Sequence, residues 1–372
     1  MFVDWFDPAF RAGGPIRSCV NFVSHLHDDY ELFIYTGDTD LGESQPLRGV
    51  EKNKWTEYKN WAQVYYSSAQ ERSIGKIYRI IKEVSADYIY LNSMYSLKFS
   101  LFPLFLKRLN LVSSNMVLAP RGMLKASALS FKQRKKKTFL SILRWFGFAN
   151  LVQFQATDEQ ECRDIKQFFP RANFQLAPNL PGAVENTSLP LSKEEGRVKI
   201  LFVGRIHPIK NLLFLLEILP NLKGEVQLSI IGAKESEEYW TKCQDLINRL
   251  PANISVDYLG EMEHHLILKQ LEEHHLFVLP TLGENFGHAI FEALSKGRPV
   301  LISDQTPWRH LESTNAGWDI SLASPNLFEK ALKTVISWKQ NEFDQVSLAS
   351  LNLARKFIAE SSIKLSYHKL FS

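Results

Sequence analysis

Cysteine is scarce in this chain, and long apolar runs are missing from it. The three cysteines, Cys19, Cys162 and Cys243, are odd in number and far apart, which excludes a disulfide framework and a CxxC metal site. No run of about 18 apolar residues occurs, and Asp4 and Asp7 stand where a signal peptide would be basic and then apolar. We therefore expect a cytoplasmic protein that does not span a membrane.

Acidic residues are missing from one long stretch of the sequence. The 70 residues between Asp87 and Asp158 hold 11 lysines and arginines and no acid. This predicts a strongly positive face. Within the stretch, the cluster Lys132–Lys137 (KQRKKK) lies among aromatic residues and is typical of an amphipathic helix on an anionic membrane, which would make the protein peripheral. A solvated helix face is the alternative; nucleic acid is not expected as a partner, because no nucleic-acid-binding motif accompanies the cluster.

Length and patterning predict two domains of α/β class. The 372 residues exceed the length of one typical domain, and short β-branched or aromatic runs alternate with helical periods, which indicates parallel sheets covered by helices. Ligands of such sheets bind at the carboxyl ends of the strands, so we expect the site between the two halves. The predicted segments are a first domain at 1–177, a linker at 178–197, a second domain at 198–347 and a C-terminal helical segment at 348–372.

The segment 276–303 (LFVLPTLGENFGHAIFEALSKGRPVLIS) is the most informative part of the sequence. It reads as a buried strand, a polar loop and a helix. Glu284 and Glu292 are eight residues apart, about 12 Å along a helix axis, whereas the carboxylates of a retaining glycosidase lie about 5 Å apart. Backbone N–H groups at Phe286 and Gly287 form a candidate anion site at the helix start, which would suit a diphosphate. The alternative is an ordinary helix with solvated acids.

Two further loops carry residues suited to a phosphorylated ligand. After the predicted strand ILFVG, Arg205 can bind phosphate in bidentate fashion and Lys210 adds a point charge. Near the N-terminus, Gly13 and Gly14 precede Pro15, a residue favoured at the first helical position, and glycine lets a backbone approach a ligand closely. Each loop also has an ordinary structural interpretation, as solvated bases or as a turn that needs glycine for its shape.

Metal-binding patterns are weak in this sequence. Asp38–Asp40 has the Asp-x-Asp form, but its glycine-rich surroundings favour a turn. The pairs His264–His265 and His274–His275 lack the i, i+4 spacing of a helical metal site, so we expect surface or packing histidines. We predict no metal.

Together these motifs resemble a known family. ENFGHAIFE resembles the E-x7-E signature of retaining glycosyltransferases of family four, GRIHPIKN is similar to their diphosphate loop, and the early glycine pair is similar to their N-terminal glycine loop. The resemblance extends over nearly the whole chain. It implies the GT-B fold, in which two Rossmann-like domains with parallel sheets face each other across an interdomain cleft and a C-terminal segment crosses back to the first domain.

The resemblance also implies roles for individual residues. The family often has a histidine after a strand of the first domain, where this chain has Pro120–Met123 (PRGM), so Arg121 becomes a candidate contact to donor or acceptor, with a structural loop arginine as the alternative. The other implied roles are Arg205 and Lys210 on the diphosphate, Glu284 on the donor sugar, Gly13 and Gly14 in the glycine loop, the backbone of Asn285, Phe286 and Gly287 near sugar and phosphate, and Glu292 on the ribose.

As a function, the resemblance implies a retaining hexosyltransferase. Its donor would be a UDP- or GDP-linked sugar, its acceptor a glycan or a polyprenyl-diphosphate-linked saccharide, and no cofactor would be required. PRGM and SDQTPW look similar to enzymes of bacterial capsule, O-antigen, lipopolysaccharide or exopolysaccharide assembly. The alternatives are a nucleotide-sugar epimerase, a glycogen-synthase-like transferase, and a non-catalytic membrane-associated scaffold that binds polyanions.

Overall fold

The computed structural model describes residues 1–125, 138–141, 143–144, 146–184, 191–360 and 362–372. The chain divides into two units. Unit 1 comprises Met1–Leu180 and Ser362–Ser372, and unit 2 comprises Pro181–Ser361. The predicted C-terminal segment 348–372 is thus divided between the units, and the cluster Lys132–Lys137 lies outside the described residues.

The strands of unit 1 form two groups that a single residue connects. The groups have the orders β2-β3-β1 and β4-β5-β6-β7, and Phe2 makes parallel bridges to Tyr35 in β1 and to Leu91 in β4. The sequence pattern predicts a strand at Phe2–Trp5, but in the structure only Phe2 of this segment makes a bridge. All pairings are parallel except β2 with β3. The strands are β1 (Phe33–Gly37), β2 (Trp55–Tyr58), β3 (Ala62–Ser67), β4 (Tyr88–Leu91), β5 (Asn115–Leu118), β6 (Gln153–Ala156) and β7 (Asn173–Leu176).

Helices of unit 1 begin where their sequences supply caps. The Ser73 side chain accepts a hydrogen bond from the N–H of Lys76, and the Asp158 side chain accepts one from Glu161, which satisfies backbone donors that a helix start leaves unpaired. A π-helical turn, Leu97–Leu101, leads directly into the third helix. The helices are α1 (Gly14–Leu26), α2 (Ile74–Val84), α3 (Phe102–Arg108) and α4 (Glu159–Phe168).

Unit 2 contains one parallel sheet with the order β10-β9-β8-β11-β12-β13. Its central strands are buried on both faces, which explains their continuous apolar sequences. The strand order reverses between β8 and β11. The elements are β8 (Arg197–Val203), α5 (Leu212–Ile218), β9 (Glu225–Ile231), α6 (Glu237–Ile247), β10 (Ile254–Gly260), α7 (His264–Glu273), β11 (Leu276–Leu279), α8 (His288–Ser295), β12 (Val300–Ser303), β13 (Gly317–Ile320), α9 (Pro325–Ser337) and α10 (Gln340–Glu360).

The last helix, α11 (Ile363–Leu370), belongs to unit 1. The hydroxyl of Tyr367 accepts a hydrogen bond from Gln155 Nε2 at 2.9 Å and donates one to the carbonyl of Pro178 at 3.1 Å. Lys364 lies 2.7 Å from the carboxylate of Asp29. The Lys364 pair is exposed to solvent, whereas the bond between Gln155 and Tyr367 is buried and fixes the helix in one position, because breaking it would leave an unpaired buried group.

Candidate functional site

The loops after β8 and β11 meet where the strand order of unit 2 reverses. In open parallel sheets, ligands bind outside the carboxyl ends of the strands at such a switch point. Two hydrogen bonds connect the loops: the carbonyl of Ile209 accepts from Thr281 Oγ1 at 2.9 Å and from the N–H of Leu282 at 2.7 Å. These bonds bring together residues that lie more than 70 positions apart in the sequence.

Lys210 and Glu284 form an ion pair in this place. The Nζ atom of Lys210 contacts Oε1 of Glu284, and their side chains are only 17% and 11% exposed. The N–H of Glu284 donates to the carbonyl of Gln305 at 3.1 Å, which ties its loop to the loop after β12. An ammonium group and a carboxylate are thus held side by side, so one can contact a phosphate while the other accepts from a sugar hydroxyl.

Two glycines allow the loops after β8 and β9 to pack closely. A Cβ atom on Gly204 would lie 3.3 Å from the Lys210 side chain, and one on Gly232 would lie 2.0 Å from the carbonyl oxygen of Gly204. Gly232 also has a φ of +147°, which other residues rarely adopt. A bulkier residue at Gly232 would displace the backbone at Gly204, and one at Gly204 would press on the Lys210 side chain.

Arg205 pairs with a residue that the sequence did not single out. Its Nη1 atom lies 2.7 Å from Oε1 of Glu235, in the loop after β9. Since β9 neighbours β8, the loops after both strands lie at the same edge of the sheet. Ligands bind at the carboxyl ends of the strands, so Glu235 becomes a candidate site residue once β9 is known to lie beside β8.

His207 shapes the turn between the two cations. Burial lowers the pKa of His207, and the nearby charges of Arg205 and Lys210 lower it further against the opposing effect of Glu235. Its neutral Nδ1 accepts from the N–H of Ile209 at 3.2 Å. This bond caps the short turn Pro208–Lys210, which sets the direction of the Lys210 side chain.

The second glutamate of the motif has a histidine partner. Glu292 lies in α8, and its Oε1 is 2.9 Å from Nε2 of His264, the first residue of α7. His264 is therefore a partly exposed histidine with a defined partner, which is compatible with the expected surface or packing role. His265 is exposed, whereas His274 and His275 are buried and hydrogen-bonded, so they fit the expectation.

The start of α8 is built on a glycine and an aromatic residue. Gly287 has a φ of +79° at the N-cap position, and a Cβ there would lie 2.7 Å from Ile290. Phe286 is buried, and its carbonyl accepts from Trp308 Nε1 at 2.6 Å. These contacts fix the loop backbone at Asn285, Phe286 and Gly287; its predicted proximity to a phosphate remains a prediction.

The other predicted site residues lie in unit 1. Gly13 has a φ of +62° and open space around its Cβ position, and Gly14 begins α1. Arg121 adopts a left-handed backbone and its guanidinium donates to Asn92 Oδ1 at 2.9 Å, to the Tyr90 hydroxyl at 2.6 Å and to the Asn179 side chain. Arg121 therefore holds a network of polar side chains together, and its contact to a substrate remains a prediction.

The Asp-x-Asp segment forms a turn with structural contacts. Asp38 pairs with Arg72 at 2.7 Å, and Asp40 accepts from the N–H groups of Phe10 at 2.9 Å and Leu41 at 2.7 Å. Within the described ranges, no three His, Cys, Asp or Glu side chains are grouped so that they could hold a metal ion. Nor does the described part of the chain contain a helix long and apolar enough to cross a membrane.

Comparison with known families identifies the second half of the chain. Residues 197–337 match the family model of glycosyl transferases group 1. These residues form a group 1 glycosyltransferase domain. The matched range holds all six strands of the unit 2 sheet, and the candidate residues from Arg205 to Glu292 all belong to this glycosyltransferase domain.

Two curated relatives resemble part of the chain. An uncharacterised glycosyltransferase of Methanocaldococcus jannaschii, MJ1607, is 29% identical over 106 residues, which are 28% of this chain and 26% of the relative. Phosphatidyl-myo-inositol mannosyltransferase of Mycobacterium leprae is 27% identical over 117 residues, 30% of each protein. The matches thus span less than a third of the length of these relatives.

Solved structures match over nearly the whole chain. Sucrose-phosphate synthase of Thermosynechococcus elongatus has a TM-score of 0.68 at 15% identity, covering 94% of this chain and 92% of the other. Anabaena HepE in complex with UDP and glucose has a TM-score of 0.67 at 14% identity, covering 98% and 96%. The predicted GT-B fold is thereby confirmed.

Proposed function

We propose that this protein transfers a sugar from a nucleoside diphosphate sugar to a glycan or a lipid-linked acceptor, with retention of anomeric configuration. The observation that carries this proposal is the meeting of the β8 and β11 loops at the switch point, with Lys210 and Glu284 in contact. It is supported by the group 1 glycosyltransferase domain, which contains both loops.

The proposed donor is a UDP- or GDP-linked sugar. HepE, a structural neighbour, binds UDP and glucose. In this chain, Arg205 and Lys210 would contact the diphosphate, while the Asn285–Gly287 backbone adds donors at the start of α8. Glu284 would accept from hydroxyls of the transferred sugar. Glu292, held by His264, would accept from the ribose hydroxyls.

The chemical step breaks the bond between the anomeric carbon and the diphosphate oxygen. Negative charge grows on the leaving diphosphate, so cations beside it stabilise the transition state more than the ground state. We assign this role to Arg205 and Lys210. We expect the acceptor hydroxyl to attack the anomeric carbon from the same face as the departing diphosphate and to give its proton to the diphosphate oxygen, with Glu284 orienting the sugar.

The proposal also covers the acceptor and the residues of unit 1. We assign Gly13, Gly14 and Arg121 of unit 1 to contacts with donor or acceptor. We propose capsule, O-antigen or exopolysaccharide assembly as the pathway, with a polyprenyl-diphosphate-linked acceptor and peripheral membrane contact. Support for it comes from the sequence motifs PRGM and SDQTPW and from the basic stretch of the first half.

A binding screen followed by product analysis tests the proposal. Specific ligands stabilise the folded state, so the matching nucleoside diphosphate should raise the melting temperature above that of the other nucleotides. The matching donor should then yield a glycosylated product with retained configuration only when an acceptor is added. Conversion of the donor without acceptor would indicate an epimerase, and the absence of any nucleotide effect would refute the proposal.

A further inference from the structure

We propose that Trp308 is a positioning residue for the donor diphosphate, because its indole N–H fixes a peptide bond whose own N–H faces the phosphates. This peptide joins Phe286 to Gly287 at the start of α8. The inference rests on the proposed function and deepens it. It gives a physical role to the segment Ser303–Trp308 (SDQTPW), which until here supports only the choice of pathway.

The SDQTPW segment contacts the backbone of the loop after β11 at three places. The hydrogen bonds run from Ser303 Oγ to the carbonyl of Thr281, from the N–H of Glu284 to the carbonyl of Gln305 at 3.1 Å, and from Trp308 Nε1 to the carbonyl of Phe286 at 2.6 Å. The segment therefore determines the path of the loop that carries Glu284. The third bond lies nearest to the start of α8.

The indole of Trp308 is itself held firmly. Trp308 is buried, and the centroid of its ring lies 5.9 Å from that of Phe291 in α8 and 5.0 Å from that of Phe357 in α10. The backbone N–H of Trp308 donates to Oγ1 of Thr306 at 3.2 Å, which fixes the turn before it. Aromatic packing and this turn together keep the indole N–H in one place.

The hydrogen bond to Phe286 also sets the direction of a second N–H. The peptide between Phe286 and Gly287 is trans, and the C=O and N–H of a planar trans peptide point to opposite sides. The N–H of Gly287 therefore points away from the indole. Gly287 is buried, and no acceptor in the described part of the chain binds this N–H. Since a buried N–H is costly to leave unpaired, a phosphate oxygen of the donor is the acceptor that fits it.

Packing alone does not require an indole at position 308. A phenylalanine there would still contact Phe291 and Phe357, but the buried carbonyl of Phe286 would lose its donor. An unpaired buried carbonyl is unfavourable, so the peptide would turn toward another donor or toward water. The N–H of Gly287 would turn with it. We therefore expect contact to the phosphates to suffer while the rest of the donor site stays as it is.

Comparing ligands with and without phosphates tests the inference in the full chain. For Trp308→Phe we expect the Kd of UDP or GDP, whichever the wild type binds, to rise about tenfold, the effect of losing one hydrogen bond to a charged group. The Kd of the corresponding nucleoside, uridine or guanosine, should stay unchanged. Isothermal titration calorimetry measures both constants. A residue that only supported the core would weaken both ligands alike.

The matched control removes another buried indole from unit 2. Trp338 is 7% exposed, close to the 6% of Trp308, and stacks on Trp318 of the edge strand β13. Trp338→Phe therefore removes the same atoms from a buried position outside the SDQTPW segment. It should bind the nucleoside diphosphate and the nucleoside like the wild type.

A second variant and a measurement on the wild type cover the case in which Trp308→Phe does not fold. Thr306→Val keeps the size of the side chain but removes the acceptor for the N–H of Trp308, so it should raise the Kd of the nucleoside diphosphate by a smaller factor. In the wild type, hydrogen exchange of the peptide that contains Gly287 should slow when UDP or GDP binds, because its N–H gains an acceptor.

The possible outcomes separate this inference from the proposed function. If the wild type binds neither UDP nor GDP, the proposed function fails and the inference fails with it. If the wild type binds one of them, the inference alone is overturned by normal binding in a folded Trp308→Phe variant, by an equal loss of nucleoside binding, or by an equal loss in Trp338→Phe. Unchanged exchange of the Gly287 peptide in the wild type on nucleotide binding also overturns it. Circular dichroism establishes that each variant is folded.

Discussion

At the scale of single residues, Lys210 is the side chain whose charge we expect to matter most. We predict that Lys210→Ala lowers the rate of sugar transfer by about 100- to 1000-fold, as is typical when one group that stabilises developing charge is removed. The fold should survive, since Lys210 lies in a loop. A transfer assay under saturating donor measures the effect.

The control for this prediction is another lysine in an ion pair. Lys242 contacts Glu238 at 2.7 Å on the exposed side of α6, far in sequence from both loops. Lys242→Ala should leave the rate near that of the wild type. A normal rate for Lys210→Ala would contradict the role assigned to the ammonium group.

His264 should affect donor binding more than turnover. His264→Ala removes the partner that holds the Glu292 carboxylate, so we expect the donor KM to rise about tenfold, the worth of one charge-assisted hydrogen bond. The kcat should change little, because a ribose contact is the same in ground and transition states. Steady-state kinetics measure both constants, and His265→Ala, in which the neighbouring histidine is removed, is the control. A fall in kcat at constant KM in His264→Ala would contradict the assignment of Glu292 to the ribose.

His275 makes the stability of unit 2 depend on pH. Its Nδ1 accepts from the N–H of Lys199 at 2.9 Å, and its Nε2 lies 2.9 Å from the carbonyl of Ser192. Burial lowers the pKa of His275 from 6.5 to about 4. Because the unfolded chain binds the proton more readily, the stabilising effect is complete above pH 6.5 and is lost as the pH falls through about 4.

The magnitude of this loss is measurable. A shift of this size corresponds to about 3 kcal/mol of unfolding free energy. We expect the unfolding free energy of unit 2, measured by hydrogen exchange, to fall between pH 6.5 and 4. His275→Gln should show a shallower fall over the same range, and an equally steep fall would assign the effect to other groups.

At the scale of helices and strands, the N-cap of α8 depends on glycine. Gly287→Ala would place a Cβ at a φ of +79° and 2.7 Å from Ile290. We expect a loss of about 1–2 kcal/mol in unfolding free energy and a weaker nucleotide-induced thermal shift. Gly75→Ala in α2, where nothing lies within 4 Å of the new Cβ, should instead stabilise the protein slightly. Equal effects of both substitutions on melting temperature would contradict this explanation.

Several strands could be predicted from sequence because their apolar runs are continuous. The sequence predicts strands at Tyr88–Leu91, Lys199–Val203, Leu276–Leu279 and Val300–Ile302, and the bounds of β4, β8, β11 and β12 agree with these within two residues. All four strands are largely buried. The hairpin β2-β3 was not predicted. Its turn uses left-handed backbone at Lys59 and Asn60, a hairpin geometry that usually carries a glycine signal absent here.

The candidate site was predictable where its residues follow a strand directly. Lys210 and Glu284 were chosen from local patterns, and the structure brings them into contact. Glu235 and His264 were missed as partners because their positions depend on the order of strands in the sheet, which the sequence does not display. For Arg121 the sequence predicts a candidate residue but not its surroundings. No local pattern indicates that its guanidinium donates hydrogen bonds to Asn92, Tyr90 and Asn179.

At the scale of the whole molecule, donor binding should stabilise the two units unequally. The candidate diphosphate and ribose contacts all lie in unit 2, so we expect a nucleoside diphosphate at 100 times its Kd to add about 2.7 kcal/mol to the free energy of unfolding measured for unit 2 amides. Hydrogen exchange resolved by peptide measures this effect. A gain confined to unit 1 would refute the placement of the donor.

The return of Ser362–Ser372 to unit 1 has a consequence for biosynthesis. A ribosome makes the chain from its N-terminus, so the polypeptide of unit 2 is complete before the last helix of unit 1 has emerged. Until then the pocket that receives Tyr367 stays open, with Gln155 lacking the hydroxyl to which it donates. Unit 1 therefore matures last although most of it is translated first, and a released chain truncated after residue 361 should expose that gap to protease while unit 2 is already resistant.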